Sequence, residues 1–220
     1  SPPLGLLTIA AMLPESWDKR LVDMNVESLD DEDLRRADIV FVSAMSVQKE
    51  SVKGVIERCK AAGVRIVAGG PLFTTEYEAF GDVDHLVLNE AEVTLPRFLE
   101  DFQNGDAGHF YTTDQWADIR TTPIPLWGLI NIKRYASINI QYSRGCPFNC
   151  EFCDIIELYG RKSRTKHPEQ IIKELQTLYD LGYRGHIDFV DDNFIGNKAN
   201  VRRVLPAIRE WSEANHHPFY

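Results

Sequence analysis

Three cysteines carry the strongest chemical signal in this chain. Cys146, Cys150 and Cys153 stand at spacing C-x3-C-x2-C within SRGCPFNCEFCD, Ser143 to Asp154. Thiolates this close in sequence can hold one metal centre. Iron–sulfur clusters are held by cysteine thiolates, normally four of them. With three, one iron of a [4Fe–4S] cluster stays open to another ligand, as in a catalytic rather than a closed structural metal site. Two plainer readings of the same residues exist. Positions i, i+4 and i+7 share a helix face, so the three could be core cysteines of one helix. Against this, Gly145 and Pro147 favour a turn, and Arg144, Asn149, Glu151 and Asp154 surround the thiols with polar groups. A zinc site is the other, but no fourth ligand stands at finger or ribbon spacing.

The segments that must position this loop alternate between strand and helix patterns. Ser137 to Tyr142 alternates, with Ile138, Ile140 and Tyr142 on one face, and reads as a strand feeding the cysteines. Pro168 to Leu181 is a helix with Ile171, Ile172, Leu175 and Leu178 inward and Gly182 as its stop. Ile187 to Val190 is a strand that ends in Asp191 and Asp192. Lys198 to Ala214 is a helix in which Pro206 marks a kink or the first turn, and His217 to Tyr220 begins another strand. Residues 136–220 therefore read as the opening of a β/α barrel, with its ligands at the carboxyl ends of the strands.

Residues 1–104 read as a Rossmann-like domain. Ser1 to Leu13 is apolar on nearly all sides and predicts a buried helix, with Arg20 to Asp23 a short strand after it. Ile39 to Val42 is a continuous apolar run, as in a parallel strand covered on both faces. Val52, Val55, Ile56 and Cys59 recur at helical spacing before Gly63, which makes Cys59 a core residue. Strands at Val64–Ala68 and His85–Leu88, with helices near Glu76–Phe80 and Thr94–Gln103, complete a parallel, doubly wound sheet. Its expected first strand precedes Ser1, so the chain reads as truncated at both ends. Residues 105–135 read as a linker whose Trp116 and Trp127 pack between the domains, with a binding role as the alternative.

In an open α/β sheet, ligands sit beyond the carboxyl ends of the strands. Those ends here include Asn25, Ser43, Gly69, Gly70 and Glu90. The two glycines would let a bulky cofactor approach the backbone closely; a plain turn is their simpler reading. There is no G-x-G-x-x-G, so a dinucleotide is a poor candidate.

Composition narrows the class. Hydrophobic residues make up 44% and charged residues 26% of the 220 positions, as in a soluble globular protein of one or two domains. A net charge of −9 argues against a nonspecific nucleic-acid grip. No apolar run approaches the ~20 residues of a membrane span. Four cysteines, three of them clustered, point to metal binding in a reducing compartment, the cytoplasm, rather than to disulfides.

The cysteine motif, with Phe152 as the aromatic of C-x3-C-x-(aromatic)-C, resembles that of the radical S-adenosylmethionine (radical SAM) superfamily. RGCPFNCEFCDI at Arg144–Ile155, GRKSRTK at Gly160–Lys166 and VDDNFIGN at Val190–Asn197 carry the resemblance further. With a Rossmann-like half ahead of them, they resemble the cobalamin (B12)-binding radical SAM proteins, in the branch that contains the hopanoid C-2 methylase. The resemblance implies a Rossmann-like cobalamin domain followed by a partial (β/α) barrel. It implies a [4Fe–4S] cluster on Cys146, Cys150 and Cys153. SAM would chelate the open iron and be split to a 5′-deoxyadenosyl radical, and methyl transfer to an unactivated carbon would follow. Phe152 would pack near the cluster, with its backbone facing the SAM adenine. Asp191 and Asp192 would contact the SAM amino group, although one of them could merely cap the next helix. Arg164, with Arg161 and Lys166, would pair with the SAM carboxylate or form a solvated face. Many B12 domains carry D-x-H-x-x-G, whose His ligates cobalt. Here Asn25 replaces that His and Ser28 the Gly, so cobalamin is expected without a histidine ligand. The implied partners are a small-molecule or lipid substrate and an electron donor such as a flavodoxin or ferredoxin. Other reactions on the same scaffold are radical rearrangement, cyclisation or methylthiolation. A non-catalytic cofactor-binding protein with a degenerate fold is the reading from another class.

Overall fold

The computed structural model describes residues 1–220. It divides into two compact units, Val22–Ala117 and a second made of Ser1–Leu21 with Asp118–Tyr220. The chain opens with helix α1, Leu4–Met12.

In the Val22–Ala117 unit, α2 (Asp31–Arg36), β1 (Ile39–Ser43), α3 (Lys49–Ala62), β2 (Arg65–Gly69) and α4 (Pro71–Glu76) lead to β3 (His85–Val87), α5 (Ala91–Asn104) and β4 (Phe110–Tyr111). The strands form one parallel sheet in the order β1-β2-β3-β4. The register Ser43↔Gly69↔Val87 aligns the carboxyl ends of the first three. Successive strand residues face opposite sides. Val40, Val42, Ile66, Ala68 and Leu86 share a core with Val52, Val55, Ile56 and Cys59 of α3 and Leu72 and Phe73 of α4. On the other side, Phe41, His85 and Tyr111 all set their rings against Phe98 of α5. Helices thus cover both faces, which is why the strands read as unbroken apolar runs. Cys59 is fully buried in this core, and burial pushes its thiol up.

The second unit contains α1, β5 (Ser137–Ile140), β6 (Ser143–Arg144), α6 (Ile155–Tyr159), β7 (Arg164–Thr165), α7 (Pro168–Asp180), β8 (His186–Phe189) and α8 (Lys198–Ala214). β5 pairs in parallel with β8, while β6 and β7 form a two-residue antiparallel ladder. α7 starts with Pro168, and the Gln170 side chain accepts the His167 N–H at 2.8 Å, a local stop that fixes the helix entry. Its buried Ile171, Leu175 and Leu178 pack with Ile138, Ile140 and Tyr142 and with Val201 and Val204 of α8. Each such aliphatic side chain contributes about 1.5–3 kcal/mol when fully buried.

Several expectations change here. α1 groups with the second unit, where Leu7 is buried beside Trp127 and its carbonyl accepts the Leu126 N–H at 3.1 Å. Only Leu7 and Ala10 of this helix are buried, so it lies along the core rather than inside it. The expected linker is divided. Phe110–Tyr111 extends the first sheet, and Trp127, 1% exposed, belongs to the core of the second unit, while Trp116 is exposed. Arg20 to Asp23 is not a strand, because no neighbouring strand pairs with it; the Asp23 carbonyl instead accepts the N–H groups of Val26 and Glu27 in a turn. The strand expected from His217 is interrupted by positive φ at His216 and His217. Only Tyr220 pairs with the β8 region, accepting the Ile187 N–H at 3.0 Å.

Candidate cofactor sites

The cysteine loop leaves the carboxyl end of β5. Residues 145–154 contain no helix and α6 starts only at Ile155, so the three thiols do not share a helix face. All three are free; Cys146 and Cys153 are half-buried and Cys150 is exposed. Three free thiols on one loop are the donor type that an iron–sulfur cluster takes.

Gly145 is the hinge of the loop. Its φ is +86°, and a Cβ there would meet the carbonyl oxygens of Lys162 at 2.6 Å and Tyr159 at 2.9 Å. Only glycine adopts that backbone in that space. The next residue is also held, since the Cys146 N–H donates to the Gly160 carbonyl at 3.2 Å. Phe148 and Phe152 are 61% and 94% exposed, so core packing does not account for either.

Asp191 and Asp192 follow β8. Asp191 Oδ1 accepts the N–H groups of Tyr142 at 2.7 Å and Ser143 at 2.9 Å. Its other oxygen is buried without a hydrogen-bond partner. Burial pushes this carboxyl up to about 6, the two N–H groups pull against that, and Asp192 adds to it. Asp192 Oδ2 accepts the Gly145 N–H at 2.7 Å. Asp191 Oδ1 and Asp192 Oδ2 thus meet backbone N–H groups at the start of the cysteine loop. The helix-capping role falls to Asn197, whose Oδ1 accepts the Asn200 N–H at 3.2 Å.

The basic cluster separates. Arg161 is exposed and donates to Asn149 Oδ1 at 2.6 Å, while Arg164 is half-buried and donates to the Tyr159 carbonyl at 2.8 Å. Lys166 is buried and ion-paired with Glu174 of α7, so it is no part of a solvated face. Sequence reasoning passed over Glu174. Its signal was present, because position 174 falls on the same helical stripe as Ile171 and Leu178.

On the sheet of the other unit, Ser43 and Gly69 are register partners. Gly70 has φ +85°, and a Cβ on it would collide with the Ser43 hydroxyl; a Cβ on Gly69 would meet the Val87 carbonyl at 2.5 Å. Met45 and Val47, just past the carboxyl end of β1, are 57% and 95% exposed. Asn25 is exposed, with its side-chain amide donating to Asp23 Oδ1 at 2.7 Å. Glu90 is turned inward instead: it is 2% exposed and its Oε2 accepts the Ala117 N–H at 2.8 Å. A backbone edge thinned by two glycines, beside exposed apolar side chains, fits a large flat cofactor.

Residues 1–99 match the B12 binding domain family. The match takes in α1, which packs with the other unit. Across 99% of its length the chain is 44% identical to an uncharacterised methyltransferase of Synechocystis, covering 41% of that protein. It is 38% identical over 96% of its length to the hopanoid C-2 methylase of Rhodopseudomonas palustris, again covering 41% of the relative. The chain thus spans about two fifths of these curated relatives. Among solved structures, TsrM, a radical S-adenosylmethionine methyltransferase from Kitasatospora setae, superposes with a TM-score of 0.67 at 17% identity, covering 85% of this chain and 43% of that one. OxsB, a cobalamin-dependent S-adenosylmethionine radical enzyme, gives 0.68 at 17% identity over 81% of this chain and 30% of its own. The chain resembles the B12-binding radical SAM branch, and it has that fold. No helix is long and apolar enough to cross a membrane.

Proposed function

We propose that this chain carries the cobalamin-binding and cluster-binding parts of a radical SAM methyltransferase acting in the cytoplasm. The observation that carries the reading is the set of three free thiols on a non-helical loop at the carboxyl end of β5, in a chain whose first 99 residues match a B12 binding domain. Cys146, Cys150 and Cys153 would ligate a [4Fe–4S] cluster, and Phe152 and Arg164 stand near them in sequence, where SAM would bind. Ser43, Gly69 and Gly70 would receive cobalamin, with Asn25 supplying no imidazole. When bound, the cluster and SAM supply a 5′-deoxyadenosyl radical and cobalamin supplies the methyl group. The protein's own part is to hold the loop, keep one iron open and offer a glycine-thinned edge to the corrin. The substrate class is a small molecule or lipid, and the electron donor is of the flavodoxin or ferredoxin class.

The test is anaerobic reconstitution with ferrous iron and sulfide. About four irons and four sulfides per chain are expected from cluster stoichiometry. Replacing any one of the three loop cysteines by Ala abolishes loading, and Cys59→Ala leaves it intact. With dithionite and SAM, 5′-deoxyadenosine accumulates. Equal iron in the triple Ala variant would sink the cluster reading. A cluster without SAM cleavage would favour a non-catalytic cofactor-binding role.

A further inference from the structure

The β5–β8 ladder does not stop at its last strand residues; side chains continue it. Ile140 pairs with Phe189, and its carbonyl accepts the Val190 N–H at 2.9 Å. From there the three residues after Val190 reach in turn along the neighbouring chain. Asp191 takes the N–H groups of Tyr142 and Ser143. Asp192 takes the N–H of Gly145. Asn193 accepts the Ser143 hydroxyl on its carbonyl at 3.3 Å, and its side-chain amide donates to Cys146 Sγ at 3.5 Å.

Cys146 is therefore held at its backbone, by Gly160, and at its sulfur, by Asn193. Cys150 and Cys153 are tied by a bond between themselves, from the Cys153 N–H to the Cys150 carbonyl at 3.1 Å. We propose that Asp191, Asp192 and Asn193 form a positioning strap that fixes Cys146 in advance, and that Asn193 raises the reduction potential of the centre on that thiolate. The proposal rests on the reading that the loop holds a cluster. Its physical basis is charge. Reduction adds one electron, from a flavodoxin-class donor or from dithionite in the cuvette, and breaks no bond. The added negative charge spreads onto the sulfurs, where an N–H donor stabilises it. Hydrogen bonds to sulfur and the groups around the ligands are what a protein uses to set such potentials. The two carboxylates act differently, because they only accept: they lock N–H groups of the backbone that leads into Cys146.

The experiment uses the whole chain, reconstituted anaerobically, with midpoint potentials read by EPR-monitored titration. Asn193→Leu removes the donor, and its potential is read on the protein fraction that carries the cluster. Its reduction equilibrium shifts about tenfold toward the oxidised form, about 59 mV lower for one electron. Asn193→Asp keeps the shape and places an acceptor at the sulfur, so its potential falls further. It decides the question if the Leu variant does not fold by circular dichroism. Asp192→Leu, which frees the Gly145 N–H, speeds loss of iron to a chelator about tenfold, whereas Asp192→Asn, which keeps an acceptor oxygen, retains iron as the parent does. Unchanged potentials in the folded Asn193 variants overturn the tuning role. Equal iron retention in both Asp192 variants overturns the strap. Failure of the parent chain itself to load iron overturns the cluster reading instead, so the two failures are distinct.

Discussion

Lys166 and Glu174 form an ion pair with side chains only 3% and 1% exposed. Burial pushes the Glu174 carboxyl up, and the lysine beside it pulls the other way. Glu174 Oε2 is left with no hydrogen-bond partner. Breaking such a pair leaves one buried charge uncompensated, at a cost of about 3–5 kcal/mol, whereas replacing both partners by apolar groups is often neutral or stabilising. Lys166→Ala is therefore expected to lower stability by that amount. The double variant Lys166→Met with Glu174→Leu is expected to match or exceed the parent. Urea midpoints of the three proteins settle it; equal losses in the single and double variants would show that the pair does more than neutralise itself.

Gly145→Ala places a methyl among the carbonyls that crowd this residue. Positive φ alone costs a non-glycine residue about 1–3 kcal/mol. The loop is expected to shift away from the turn at Tyr159–Lys162, and iron per chain after reconstitution is expected to fall below half the parent value. Full loading of the Ala variant would mean that the turn at residue 145 does not position Cys146.

Two glycines of the first unit, Gly54 and Gly70, predict opposite outcomes. Gly54 lies inside α3 with nothing within 4 Å of a Cβ. Gly54→Ala is expected to add about 0.5–1 kcal/mol, the helix-propensity difference. Gly70→Ala meets the Ser43 hydroxyl at positive φ and is expected to weaken cobalamin binding at least tenfold, as read by absorbance titration with hydroxocobalamin. Undiminished binding would move the corrin away from this edge.

Asp191 gives a pH dependence with a definite sign. Its folded value of about 6 lies above the ordinary 3.8, so the folded state prefers the neutral acid. The stability this provides is fully present below about pH 4 and is lost as pH rises through about 6. Asp191→Asn keeps an oxygen for Tyr142 and Ser143 but cannot ionise. Its stability is expected to vary less between pH 4 and pH 6 than that of the parent. Parallel stability curves for the two proteins would contradict the burial argument.

Cobalamin held without imidazole has a spectroscopic mark. On the proposed cobalamin reading Asn25 takes the place of a ligating His, and its amide donates to Asp23. The Co(II) form bound to the chain is expected to show no axial-nitrogen hyperfine splitting in EPR; a clear nitrogen pattern would point to a histidine elsewhere.

The sequence displayed what periodicity governs and hid what side chains do across long separations. The apolar runs of β1 and β2 and the stripe of α3 placed Cys59 in the core, because burial on both faces leaves a pattern in local composition. Arg20 to Asp23 has the composition of a strand, but a strand exists only where a neighbour supplies its hydrogen bonds. Trp127 looked like part of a connector because its partners, Ile138 and Leu175, lie outside any local window. Lys166 sits in the basic run GRKSRTK, and nothing local distinguishes its burial from the exposure of Arg161. The cysteine motif was legible as chemistry; the turning of Asp191 and Asp192 toward the loop backbone was not.

The bond between Asp192 and Gly145 joins residues 47 apart in the chain. During synthesis at about 5–20 residues per second, roughly 2–9 s pass between the two leaving the ribosome tunnel. For most of that interval all three thiols are already outside while Asp192 and Asn193 have yet to emerge. A cluster on these thiols would have to be built after this delay, or the thiolates shielded until it ends. The order of translation would then set the timetable for metal loading.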